Sequence, residues 1–152
     1  MKVRELMLRD LTSVDPGDPV HVLVETLDKA ETSSIPVTDE NDRLVGIISE
    51  HDVLAAALPR YMELLHSASF LPNLDQLAFG LARIADEPVS RFMAKQPCCV
   101  PADAGDLQAA DLMLRNKLRL LPVVDAEGRL VGVVRRVDLF IHVLRQRDSR
   151  KE

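Results

Sequence analysis

Tryptophan is absent from these 152 residues, and the only other aromatics are four phenylalanines and one tyrosine. A core must therefore be built from Leu, Val, Ile and Ala. The 47% hydrophobic content is that of a globular protein, not a disordered one. Sparse aromatics and a net charge of −5 argue against a nucleic-acid surface, which uses stacking platforms on a basic face. Cysteine is confined to the neighbours Cys98 and Cys99. Adjacent cysteines can hardly pair without distorting the backbone, and no second pair offers a disulfide framework or zinc site. They read as two small apolar residues in a strand. No apolar run reaches 18 residues, and the opening "MKVRELMLRD" lacks the apolar stretch of a signal peptide. The expectation is a soluble, cytoplasmic protein with no membrane partner.

Catalytic patterns are missing too. No Ser/His/Asp arrangement, phosphate loop, metal-ligand cluster or paired-carboxylate geometry can be read, and His21, His66 and His142 have no ligand spacing. An enzyme is not expected, nor a metal.

What the chain does have is a duplication. "RLVGIISEHD" (43–52) returns as "RLVGVVRRVD" (129–138), and a shift of 86 positions aligns Val3–Leu54 with Val89–Phe140 without a gap. Met7/Met93, Val14/Val100, Pro36/Pro122, Asp39/Asp125, Gly46/Gly132 and Asp52/Asp138 all coincide. Each copy opens with a turn of helix and a brief extended segment around Thr12–Val14 or Cys98–Val100. An amphipathic helix follows, with Asp18 as N-cap and Val20, Leu23, Val24 and Leu27 on one face in the first copy. Two β-rich runs, "SIPVTD" with "RLVGIIS" and "LLPVVD" with "RLVGVVR", are joined by turn-forming residues, so each pair is a hairpin. A last helix starts near Ser49 or Arg135. The unit is β-α-β-β-α, and the fold class is α/β (α+β), two pseudo-symmetric units packed against each other. A unit of about 50 residues has a marginal core of its own, so the copies bury their sheet faces on each other.

The chain divides into a first motif (1–58), a helical insertion (59–88), a second motif (89–147) and a basic tail (148–152) that reads as a frayed helix end. The insertion carries Tyr61, Phe70 and Phe79 and a helix over Asn73–Ala85 with a stripe of Leu74, Leu77, Ala78, Leu81 and Ile84. The stripe packs on its own module or forms an interface with a subunit or partner.

Chemistry concentrates at Gly46–Asp52. A helix start there welcomes an anion such as a phosphate. Ser49 can add a donor, and His51 either touches a phosphate or is simply an exposed histidine on the helix, the second being favoured. Asp52 suits the two hydroxyls of a ribose, since charge-assisted bonds of that kind contribute roughly 1.5–3 kcal/mol. Ser-x-x-Asp at a helix start is also a capping box, and spacing alone favours the cap.

With the duplication, "IPVTD…RLVGIISEHD" and "LPVVD…RLVGVVRRVD" resemble the CBS domain, named for cystathionine β-synthase, which occurs in tandem pairs called Bateman modules. The resemblance implies two clefts that take AMP, ADP, ATP or S-adenosylmethionine, a homodimer, and a regulatory module acting in trans on an effector protein. No cofactor is required for chemistry. It matches Asp52 and Ser49 to the ribose and phosphate contacts of one cleft, with Ile35, Pro36, Thr12 and Val14 enclosing the base. In the other copy it matches Asp138 to the ribose acid, Leu121 and Pro122 to the strand, and Cys99 and Val100 to the first segment. Arg135 stands where the family favours Ser or Thr. Either it fills its own cleft, or Arg135, Arg136 or Arg119 neutralises phosphates through its forked guanidinium, or these are solvated surface arginines. The alternative function is a structural, oligomerising interaction module with unoccupied clefts.

Overall fold

The computed structural model describes residues 1–58 and 76–151. A short helix α1 (Val3–Leu6) opens the chain. The first copy continues through α2 (Val20–Ala30), β1 (Ser34–Thr38), β2 (Leu44–Ser49) and α3 (Glu50–Ala57). Then α4 (Gln76–Ile84) and a 3-10 turn (Val89–Arg91) lead to β3 (Ala94–Lys95). The second copy runs β4 (Val100–Pro101), α5 (Asp106–Arg115), β5 (Leu120–Val124), β6 (Leu130–Arg135) and α6 (Arg136–Ser149). The β-α-β-β-α order holds, with the first strand of copy one reduced to one parallel bridge between Val14 and Val37. Among the described residues no helix is long and apolar enough to cross a membrane.

Both hairpins are antiparallel and share a register irregularity, at Val37/Thr38 and at Val123/Val124. Their turns are built alike. Asp39 Oδ1 accepts from the N–H groups of Asn41 and Arg43, and Asp125 Oδ1 from those of Glu127 and Arg129. Asp42 (φ 62°) and Gly128 (φ 80°) then reverse the chain in the left-handed region. The two tips meet: Leu44 N–H donates to Gly128 O at 3.0 Å and Leu130 N–H to Asp42 O at 2.9 Å. Arg-Leu-Val-Gly occurs twice because each copy of the tip pairs with the other across a pseudo-twofold axis.

The leading segments are exchanged. Leu8 bridges Val133 on β6, while β3 pairs with Gly46 and Ile47 on β2. Val3 and Leu6, fully buried, belong to the core of the second copy, and Ile84 and Val89 to that of the first. Burying an aliphatic side chain contributes roughly 1.5–3 kcal/mol, so this crossing fastens the halves together. It also explains the repeated glycine. A Cβ on Gly132 would stand 2.6 Å from Leu8 O, and one on Gly46 2.5 Å from Met93 Sδ and 3.0 Å from Ala94 O.

Two sequence expectations change. Asp18 does not cap α2; Pro19 is the N-cap residue, and Asp18 Oδ2 accepts from Asp15 N–H. The insertion caps the helix instead, through Glu87 O to Val20 N–H and Ala85 O to His21 N–H, each at 3.0 Å. The insertion helix spans Gln76–Ile84 and buries Gly80 and Ile84, leaving Leu77 and Leu81 exposed. Its inner edge is set by Gly80, whose lack of a side chain lets it sit against Ala57. Leu74, Tyr61 and Phe70 lie outside the described residues. At the other end, the tail begins inside a helix, since α6 continues to Ser149.

Candidate functional site: two unequal clefts

Each copy presents a helix start to the pseudo-axis, where the counterparts Ser34 and Leu120 line both clefts. In the first cleft, β2 ends at Ser49 and α3 begins. Ser49 N–H and Oγ donate to Asp52 Oδ2 at 2.9 and 3.0 Å, and Asp52 N–H returns a bond to Ser49 Oγ at 3.2 Å. This is a complete capping box. It also commits the Ser49 hydroxyl, while Glu50 N–H is taken by Ser33 O at 2.8 Å. The helix start thus has little left for a phosphate. Asp52 keeps more: it is half-buried, and Oδ1 has no partner among the described residues.

Opposite stand Lys117, Leu118, Arg119 and Leu120 of the second copy, enclosing about 410 Å³ with Ser33, Ser34 and His51. That volume falls within the range of small-molecule sites. Lys117 follows the C-cap of α5 in a left-handed conformation (φ 52°). Neither Lys117 nor Arg119 belongs to an ion pair among the described residues. A half-open carboxylate and two exposed cations therefore face one hollow.

The second cleft is the same geometry with its chemistry spent. Arg135 stands in the place of Ser49 and forks onto Asp138, Nη2 to Oδ1 at 2.8 Å and Nε to Oδ2 at 3.1 Å. Its own N–H adds a third bond at 2.8 Å to Oδ2. Asp138 is buried at 5% exposure with both oxygens taken. The same bond holds the Arg135 guanidinium above its ordinary pKa. Around Arg135 lie Thr12, Thr32, Ile35, Pro36, Asp10 and Glu31, and only about 150 Å³ remains. Thr12 gives its N–H and hydroxyl to Asp10, whose carboxyl those bonds hold below its usual range.

The clefts cross the copies. Thr12, Ile35 and Pro36, grouped by sequence with Asp52, face Arg135 instead, and Asp52 faces the 117–120 segment. Each helix start meets the strand of the other copy because β1 and β5 lie side by side at the axis. Val14, Val100 and Leu121 are core residues at 4%, 0% and 0% exposure, and Pro122 is buried. Cys99 is half-buried, and burial pushes its thiol up. None of these five lines either cleft. Arg136 is drawn away, donating from Nε to Leu118 O at 3.0 Å.

A model of the CBS domain matches the chain at two places, residues 3–59 and 89–145. The chain belongs to the CBS-domain family. Its curated relatives include CBSX2, a chloroplastic CBS domain-containing protein of Arabidopsis thaliana. The two are 30% identical over 136 residues, covering 84% of this chain and 56% of CBSX2. Another is inosine-5'-monophosphate dehydrogenase of Methanocaldococcus jannaschii, 29% identical over 141 residues, covering 91% of this chain and 23% of the dehydrogenase. The chain thus spans about a quarter of one relative and just over half of the other. Crystal structures of CBSX2 share the CBS-pair fold at 28% identity. One superposes with a TM-score of 0.78, covering 97% of this chain and 96% of CBSX2. The other, a complex with AMP, gives 0.74 and covers 96% and 98%.

Within this CBS pair the residue that sequence reasoning missed is Lys117. Its signal was available: it is the counterpart of Glu31, and both follow a helix end in the left-handed region. The duplication thus places a cation opposite Ser49 and an acid opposite Arg135.

Proposed function

We propose that this CBS pair is a regulatory module that binds an adenosine-containing ligand, of the AMP, ADP, ATP or S-adenosylmethionine class, in its first cleft. It works as a homodimer in the cytoplasm and passes ligand state in trans to an effector protein. The observation that carries this reading is Asp52 Oδ1, open to a roomy hollow with Lys117 and Arg119 across from it. A ribose hydroxyl donates to that oxygen, and the two cations meet the phosphates, with Arg119 able to pair two oxygens at once. The AMP complex of CBSX2 supports the ligand class. Ligand acts by favouring one arrangement of the two copies, for which the cross-copy cleft supplies the lever: it pulls α3 of one copy toward the 117–120 segment of the other.

A second reading has its own observation. The closed second cleft and the exposed apolar helices fit a structural module that assembles proteins without a ligand.

A thermal-shift screen against AMP, ADP, ATP, S-adenosylmethionine and GTP separates the two. Ligand at about a hundred times its dissociation constant adds roughly 2.7 kcal/mol and moves the melting point several degrees. The sensor predicts a shift with adenosine ligands that disappears in Asp52→Ala and survives in Asp138→Ala. No shift with any of them leaves the structural module.

A further inference from the structure

The copies part again where their leading segments cross. In the first, β3 pairs two residues with β2, Ala94 opposite Ile47 and Lys95 opposite Gly46. In the second, the counterparts are Leu8 and Arg9, and pairing stops at the bridge between Leu8 and Val133. From there the segment alternates between two cavities. Leu8, Asp10 and Thr12 line the second cleft, whereas Met7, Arg9 and Leu11 line a hollow on the other side. This hollow encloses about 660 Å³ against the 101–103, 124–126 and 130–131 stretches, and shares no lining residue with either cleft. Its floor is apolar, with Met7, Ala102, Val124, Leu130 and Val131 buried or half-buried. Leu11 stands at its edge, 56% exposed.

Arg4 and Arg9 supply the charge. Both are exposed, and neither belongs to an ion pair among the described residues. The duplication marks this charge as particular to the second copy. Arg4, Arg9, Pro101 and Ala126 take the places of Ser90, Lys95, Asp15 and Glu40. A serine becomes a cation and two acids disappear; Asp103, in place of Gly17, runs the other way. Asp125 offers little opposition to an anion, because Oδ1 accepts from Glu127 and Arg129 N–H and Oδ2 from Arg129 Nε.

We propose that this hollow binds a small organic carboxylate with an apolar body. The body lies on the floor beside Leu11, and the carboxylate meets Arg4 and Arg9, whose forks match its two oxygens. A mostly apolar hollow of several hundred Å³ with a few charged groups is the general form of a small-molecule site. Asp103 is the acid left on the lining to oppose it.

Titration of octanoate and of phenylpropionate into the full chain, followed by backbone amide shifts in NMR, reads position and affinity together. Saturable shifts are expected at Arg4–Leu11, Ala102 and Val131 with at least one of the two. Octanol and acetate, which carry the body or the charge alone, should each bind more weakly. Arg4→Ala and Arg9→Ala should each weaken the carboxylate roughly two- to fivefold, the worth of one exposed ion pair. Asp103→Asn should strengthen it by a similar factor. All three side chains are exposed, so the fold should not change by circular dichroism. Lys117→Ala, which alters the first cleft, should leave carboxylate binding as it was. No saturable shift with either probe at millimolar concentration overturns the site. So does octanol binding as well as octanoate, or a carboxylate that Lys117→Ala weakens and the arginine variants do not.

Discussion

Asp52 and Asp138 occupy the same position on the same motif, yet one carboxylate keeps an oxygen open and the other is bidentate with an arginine. The difference comes from one residue three positions earlier. A serine is short enough to cap the helix through a single carboxylate oxygen and leave the cleft empty. An arginine has no acceptor with which to cap the helix; Asp138 still accepts the Arg135 N–H, but the guanidinium fork takes both its oxygens and the stem stands in the cavity. Duplicated folds can thus keep their geometry while one copy gives up its chemistry. The cap alone does not distinguish a binding site from a structural one; the oxygen left over does.

The sharpest way to break this comparison is to undo it. Arg135→Ser should empty the second cleft, release Asp138, and raise the nucleotide stoichiometry from one to two per chain by calorimetry. A stoichiometry that stays at one would mean that Glu31 and Asp10, and not Arg135, close that cleft.

A second comparison uses the two glycines. Overpacking costs typically 1–3 kcal/mol, and Gly132→Ala should sit at the upper end because its new methyl meets a backbone oxygen, Leu8 O. Gly46→Ala should cost less, since the nearest atom is the flexible Met93 thioether. Urea denaturation of both variants would read the order, and equal losses would contradict it. The smallest effect is electrostatic. Lys117→Ala should weaken AMP several-fold and adenosine hardly at all, an exposed ion pair being worth about 0.2–1 kcal/mol. Equal losses for both ligands would take Lys117 out of the phosphate contact.

Much of the fold was legible in the chain. The 86-residue repeat, the two hairpins and the helix starts at Ser49 and Arg135 follow from local patterns, and each stands where those patterns place it. What lay beyond reach depends on contacts between copies. No local signal says that Leu8 pairs with β6 or that β3 pairs with β2, so Thr12, Ile35 and Pro36 were assigned to the wrong helix start. Asp18 was read as a cap because its type and position suit one, but tertiary carbonyls from the insertion took the role. The insertion helix was legible as a helix, whereas its buried edge was not, because Gly80 marks close approach by what it lacks. Arg135 is legible in the sequence as the departure, whereas its fork onto Asp138 depends on the folded geometry of the helix start.

The central claim is that one cleft of two is open. Isothermal titration of AMP into the wild-type chain and into Asp52→Ala tests it most directly. The account predicts one site per chain, weakened roughly ten- to hundred-fold by the substitution, which removes about 1.5–3 kcal/mol of hydrogen bonding. Two sites in the wild-type chain, or an affinity that ignores Asp52→Ala, would contradict it.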